Sequence, residues 1–210
     1  VSELLLSRTL DPADYELLKE ELKVVDAHGI EGQHEHRRWE YALALHAVWR
    51  WQQRGGKLHD SLYDIGGAGS KFHLMLCEWC DVDTKVIDPR ENTGTVENFV
   101  RAGAALADVV TCLSVIEHVE DVDHFLYTLS CLVAPGGLVV LTMDYWNRCG
   151  ADTAHFNHMR QRIYCPKSYA NLRLQCTPLH LHTFGGVDPS YHGANVYDYT
   201  FASLVLEKQR

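Results

Sequence analysis

The segment SLYDIGGAGSKF, Ser61 to Phe72, sets three glycines and an alanine behind an aspartate. Glycines at a strand end let the backbone come close to a ligand, and the N-terminus of a following helix favours negative groups. The loop is therefore placed to hold something. A dinucleotide fingerprint, G-x-G-x-x-G, fails here in both registers. Starting at Gly67, the last place is Phe72; starting at Gly66, the second place is Ala68 and the last is Lys71.

Other chemistry-bearing residues are spread along the chain. Asp88 ends the short apolar run TKVIDP, and Glu117 and His118 follow the longer run ADVVTCLSV. His155 and His158 in HFNH, spaced i, i+3, are candidates to face one site, but metal use by this pair would need further ligands. CEWC, Cys77 to Cys80, is a C-x-x-C without a second one to complete a zinc site. A redox pair would open a helix after a strand, whereas this one comes late in an expected helix, so it reads as two thiols one turn apart.

The elements that must position these groups follow from periodicity and punctuation. DPADYELLKEELK, Asp11 to Lys23, begins with an N-cap Asp and a Pro and reads as a surface helix. HEHRRWEYALALHAVWRWQQ, His34 to Gln53, reads as a stronger helix, with Trp39, Leu43, Ala47 and Arg50 at helical spacing and RGGK as its stop. From Leu58 the pattern changes to strands at LHDSLYDIG, TKVIDP, ADVVTCLSV and LVVLTMDYW, with TVENFV as a further candidate. SKFHLMLCEWC and DVDHFLYTLSCLVAPGG read as helices between them. This alternation implies an α/β fold whose parallel sheet carries helices on both faces. After Trp146 the texture loosens, KSYANLRLQ reads as a helix, and TPLHLHTF and DYTFASLVLEKQ read as two strands that close one edge.

Composition narrows the classes. At 210 residues, with 46% hydrophobic and 22% charged residues, one globular domain with a substantial core is expected. The formal charge is −9 and no strong basic face stands out, which disfavours a nucleic-acid partner. The seven cysteines are scattered through apolar segments, which suggests reduced thiols and a cytoplasmic setting. The opening VSELLLSRTLDPADYELLKEELK lacks a basic flank, a long apolar core and a cleavage site, so it is read as mature sequence. No apolar run is long enough to cross a bilayer.

LYDIGGAGS resembles the first motif of the class I S-adenosylmethionine-dependent methyltransferases, hydrophobic-hydrophobic-Asp/Glu-x-Gly-x-Gly-x-Gly. Asp64 and Gly66 match, and Ala68 and Ser70 take the places of the second and third glycines. ADVVTCLSVIEHVEDVDHFL, with Asp108 at its start, resembles the fourth strand and following loop of the subgroup ending in Glu-His-Val. LSCLVAPGGLVVLT resembles the next helix, turn and strand, and ASLVLEK the last strand. The likeness runs from about Leu58 to the C-terminus and is densest from Leu62 to Trp146.

The resemblance implies a Rossmann-like, seven-stranded, mostly parallel sheet with one antiparallel edge strand. It divides the single domain into an N-terminal helical lid (1–57), a cofactor-binding core (58–146) and an acceptor-side insertion with the C-terminal strands (147–210). It implies S-adenosylmethionine as cofactor, held by Asp64, Gly66, Gly67, Ala68, Gly69, Asp88, Pro89, Leu113 and Ser114. Asp88 would accept from the ribose hydroxyls, since a carboxylate suits two vicinal donors. His118 is the candidate general base, although stabilising the loop and the following helix start is the favoured role for Glu117 and His118. Trp39, Tyr41, Tyr145, His155 and His158 are candidates for the acceptor pocket. Asp144 ends the fifth strand on the same side. Arg37 or Arg38 could reach an acceptor carboxylate, and Arg160, Arg162 and Tyr164 could hold an anionic acceptor or face solvent.

The expected activity is methyl transfer to oxygen or nitrogen of a small molecule. Two alternatives stay open: a catalytically silent binding or assembly module in a larger complex, and a methyltransferase acting on nucleic acid or protein.

Overall fold

The computed structural model describes residues 16–29, 35–59, 61–91, 93–145, 155–156, 162–183 and 200–210. Strands β1 (Leu62–Ile65), β2 (Thr84–Ile87), β3 (Ala107–Cys112), β4 (Val133–Tyr145), β7 (Leu181–Thr183) and β8 (Thr200–Lys208) form one sheet in the order β2-β1-β3-β4-β8-β7. The first four run parallel, whereas β8 is antiparallel to both β4 and β7. A short antiparallel pair, β5 (His155–Phe156) with β6 (Arg162–Ile163), lies outside it.

The α/β class agrees with the sequence reading, but two details differ. Among the described residues the main sheet has six strands, not seven. TVENFV, the candidate extra strand, is instead helix α4 (Val96–Arg101), because the Thr95 side chain accepts from Asn98 N at 3.3 Å and caps a first turn. The reversed strand β8 is also not at the edge: it is the long, apolar member of the C-terminal pair and lies between β4 and the three-residue edge strand β7. Short edge strands expose little unpaired backbone.

Helices cover both faces. On one side lie α1 (Lys19–Ala27), α2 (Glu35–Gln53) and α3 (Phe72–Cys80), packed with Leu138, Val140, Phe201 and Val205. On the other lie α4, α5 (Val122–Leu132) and α6 (Pro166–Cys176), packed with Val139, Leu141, Met143, Ala202 and Leu204. Successive residues of β4 and β8 thus feed opposite cores, as the two-residue strand period requires.

Helix α2 is buried all round from Tyr41 to Val48, because the sheet covers one side and α1 another. A buried Glu21–His46 contact of 2.7 Å ties α1 to α2, and Trp51 Nε1 donates to Gly136 O at 2.9 Å at the far end. From sequence, this helix suits equally a lid over the cleft and packing on the sheet. Its body is core, and only its N-terminal turns reach the cleft.

Five described cysteines are free: Cys77, Cys80, Cys112, Cys131 and Cys176. Cys165, by contrast, is disulfide-bonded, against the expectation of uniformly reduced thiols. Burial pushes the Cys80 thiol up to about 12, so CEWC presents no ready thiolate there. Among the described residues no helix is long and apolar enough to cross a membrane.

Candidate functional site

Ile65 of β1 stands opposite both Ile87 of β2 and Cys112 of β3. Three turns therefore leave the sheet side by side at residues 66–70, 88–91 and 113–115. Between them and the start of α2 opens a cavity of about 660 Å³. This lies in the size range of small-molecule sites and at the carboxyl ends of parallel strands.

Of the residues expected to hold a cofactor, Gly66, Ala68, Gly69, Asp88, Pro89, Leu113 and Ser114 line the cavity. His118 and Tyr41 line it too, as do Arg37, Ser70, Arg90 and Val115. Asp64 and Gly67 stand behind the loop rather than at its surface, and both are buried. Trp39 packs in the core cluster of α1, α2 and α3, with the Arg38 guanidinium carbon 5.4 Å from its ring centroid. Tyr145 is 2% exposed and meets Tyr169 edge to face on the α5–α6 side. Both were expected at the acceptor pocket and neither lines the cavity, because each ring fills a core layer. His155 is described only in its backbone pairing with Ile163, and His158 and Arg160 lie outside the described residues.

The loop geometry explains the departures from the glycine pattern. Gly66 (φ +74°) and Gly69 (φ +73°) occupy the left-handed region, where a side chain is strained. Neither Ala68 nor Ser70 has a positive φ, so neither place demands glycine. Ser70 Oγ also accepts from Phe72 N at 3.3 Å, where α3 begins. Gly67 is required for a different reason. A Cβ there would lie 2.3 Å from Asp64 Oδ2, in the buried carboxyl beneath the loop.

Asp64 accepts from Thr111 Oγ1 at 2.8 Å, and burial pushes its pKa up to about 7. Asp88 behaves in the opposite way. Hydrogen bonds from the Arg90 side chain, from Arg90 N and from Ala68 N hold its carboxyl below the usual range. Thr93 fixes its backbone, accepting from Asp88 N at 2.7 Å and donating to Asp88 O at 2.9 Å.

The α2 side of the cavity is built on buried charge. Glu40, fully buried on α2, accepts from Arg37 Nη1 at 2.6 Å, from Ser114 Oγ at 2.7 Å and from Thr142 Oγ1. Thr142 Oγ1 also accepts from Ser114 N at 2.9 Å. These bonds hold Ser114 at φ +52°, an uncommon conformation for a non-glycine residue and one often found where a site imposes it. Burial, then Asp144 and Glu40, push the Glu117 carboxyl well up, and burial and Glu40 push Asp144 up to about 6. Desolvation and then the Arg90 and Arg37 charges lower the His118 pKa, so its imidazole is neutral near pH 7.

Glu40 and Arg90 were missing from the sequence-derived site. A carboxylate between Trp39 and Tyr41 on a helix of apolar residues was a usable signal for Glu40. Arg90 offered only its place two residues after Asp88.

A family profile described as methyltransferase domain matches residues 33–184. The 1,6-didemethyltoxoflavin-N1-methyltransferase of Burkholderia thailandensis, solved with 1,6-didemethyltoxoflavin and S-adenosylhomocysteine, is similar at TM-score 0.61 and 14% identity, over 97% of this chain and 93% of that one. The plantazolicin methyltransferase BpumL, solved with a pentazolic desmethylPZN analog and S-adenosylhomocysteine, is similar at TM-score 0.62 and 12% identity, over 93% and 99%. At such identities the likeness is one of fold. The ubiquinone biosynthesis O-methyltransferase of Caulobacter sp. (strain K31) is 45% identical over 47 residues, which span 22% of this chain and only 19% of that relative.

Two outcomes follow. Gly67→Ala is expected to lower the thermal midpoint by several degrees and Ala68→Gly to change it little, both read by differential scanning calorimetry. The pH dependence has a definite sign. A carboxyl whose pKa is raised on folding contributes stability at acid pH that is lost as pH rises through the raised value. Unfolding free energy from urea titrations should therefore fall from about pH 4 to about pH 7, and Asp64→Asn should flatten that fall.

Proposed function

Since the chain belongs to the class I S-adenosylmethionine-dependent methyltransferases, with its methyltransferase domain spanning residues 33–184, we propose that it transfers a methyl group from S-adenosylmethionine to oxygen or nitrogen of a small-molecule acceptor. The observation that carries this reading is the single cavity shared by the glycine loop, Asp88, Ser114 and His118. The names of two similar proteins record transfer to oxygen in one and to nitrogen in the other, which supports both atoms as candidates.

When bound, the cofactor supplies a methyl on a sulfonium whose departure as a neutral sulfide needs little chemical help. The chain's task is then mostly positioning. Asp88 would accept from a ribose diol, and before binding its pairing with Arg90 and two backbone amides holds its pKa below the usual carboxylate range. The Gly66 and Gly69 turns bring backbone close to the ligand. Ser114, pinned by Glu40 and Thr142, fixes the neighbouring wall. Neutral His118 can take the proton that an O–H or N–H acceptor must lose. Tyr41 and Arg37, from the first turns of α2, face the remaining side and are the described candidates for acceptor contact.

The charge pattern supports a small acceptor over a nucleic acid. The two arginines in the described lining are each paired with a carboxylate, Arg37 with Glu40 and Arg90 with Asp88. Such pairs leave little positive field for a phosphate backbone.

Isothermal titration calorimetry with S-adenosylmethionine tests the reading. Binding at micromolar concentration is expected, Asp88→Ala should weaken it at least tenfold, and Ala68→Gly should change it less. No heat of binding at high micromolar ligand would refute the reading.

A further inference from the structure

Asp88 is the group assigned to a ribose diol, yet its acceptor positions are already taken. Oδ1 accepts from Arg90 N at 2.8 Å and from Arg90 Nε at 3.1 Å. Oδ2 accepts from Ala68 N at 3.0 Å and from Arg90 Nη2 at 2.8 Å. A carboxylate offers about four lone-pair sites, and these donors fill them. Two donors are backbone amides fixed by the loop and the turn. The other two belong to one side chain, which is 70% exposed while Asp88 is 2% exposed. The same Nη2 reaches Ala68 O at 3.2 Å and Gly66 O at 3.4 Å. The guanidinium therefore lines the cavity and bridges the glycine loop to the turn after β2.

We propose that Arg90 is a specificity- and affinity-setting residue of the cofactor site: its guanidinium stands where the ribose diol binds, and the nucleoside displaces it. This rests on the methyl-donor reading above. The exchange conserves hydrogen bonds at the buried carboxylate. Two N–H donors leave and two O–H donors arrive, while Ala68 N and Arg90 N stay in place. The released guanidinium moves into water, where its head already mostly lies, so displacement costs little. A ligand offering one hydroxyl replaces only one of the two lost donors and leaves a buried carboxylate oxygen short. The arrangement thus favours a cis-diol. Between ligands, the guanidinium holds Asp88 satisfied and clamps the loop through two carbonyls.

The test uses S-adenosylhomocysteine, which carries no net charge, in calorimetric titrations of wild type, Arg90→Ala and Arg90→Lys. Arg90→Ala should bind about three- to tenfold tighter, the worth of a partly exposed ion pair. Arg90→Lys should fall between, since an ammonium cannot fill two sites as a planar fork does. Wild-type affinity should rise with added salt, which screens the pair, and that of Arg90→Ala should not. Equal or weaker binding by Arg90→Ala, with wild type still binding, would overturn the proposal and leave the methyl-donor reading standing. If both proteins are folded by circular dichroism and neither binds, the methyl-donor reading fails and the proposal falls with it.

Discussion

Everything at the site depends on one register: Ile65 lies level with Ile87 on one side and Cys112 on the other. Parallel strands cannot be joined by tight turns, so each connection must cross over through a helix. With β1 central and its neighbours level, three such connections begin at one height. The glycine loop, the Asp88 turn and the Ser114 turn then face one another without further design. A slip of one residue in any strand would send its inward side chains outward and move its turn away from the others.

Buried polar groups refine this frame. Asp64 is held by Thr111 on the adjacent strand and lies beneath the glycine loop. Glu40 holds the Ser114 turn, joining α2 to β3 and β4 through Arg37, Ser114 and Thr142. Burying a carboxylate costs several kcal/mol unless its lone pairs are satisfied. Glu40 is satisfied by side chains that also shape the cavity wall, whereas Asp64 Oδ2 has no hydrogen-bond partner among the described residues and burial raises the Asp64 pKa. The first turns of α2 are thereby tied to the cleft, while the rest of the helix packs as core.

Much of this was legible in the sequence, for reasons that differ by residue. The strands β1, β3 and β4 announce themselves as apolar runs, and the loop at Gly66 to Ser70 as a glycine cluster behind an acid. Asp88, Leu113, Ser114 and His118, named through the family resemblance, all line the cavity. What failed depended on tertiary context. Val96 and Val100 made TVENFV look extended, but a Thr95 cap outweighs β-branched propensity in so short a segment. Trp39 and Tyr145 looked like ligand aromatics because sequence does not say which side of a helix or strand meets a cavity. Ala68 and Ser70 looked like defects until the backbone angles placed the left-handed conformation at Gly66 and Gly69 and at neither of them. Arg90 was hidden because an arginine after a strand usually marks a solvated turn.

A crystal structure with S-adenosylhomocysteine bound tests the account most directly. The account predicts both ribose hydroxyls within hydrogen-bonding distance of Asp88, about 2.5–3.0 Å, the Arg90 side chain turned away, and the sulfur on the side of the cavity nearest Ser114 and His118. A nucleoside bound elsewhere, or one seated in this cavity with Arg90 still paired to Asp88, would contradict it.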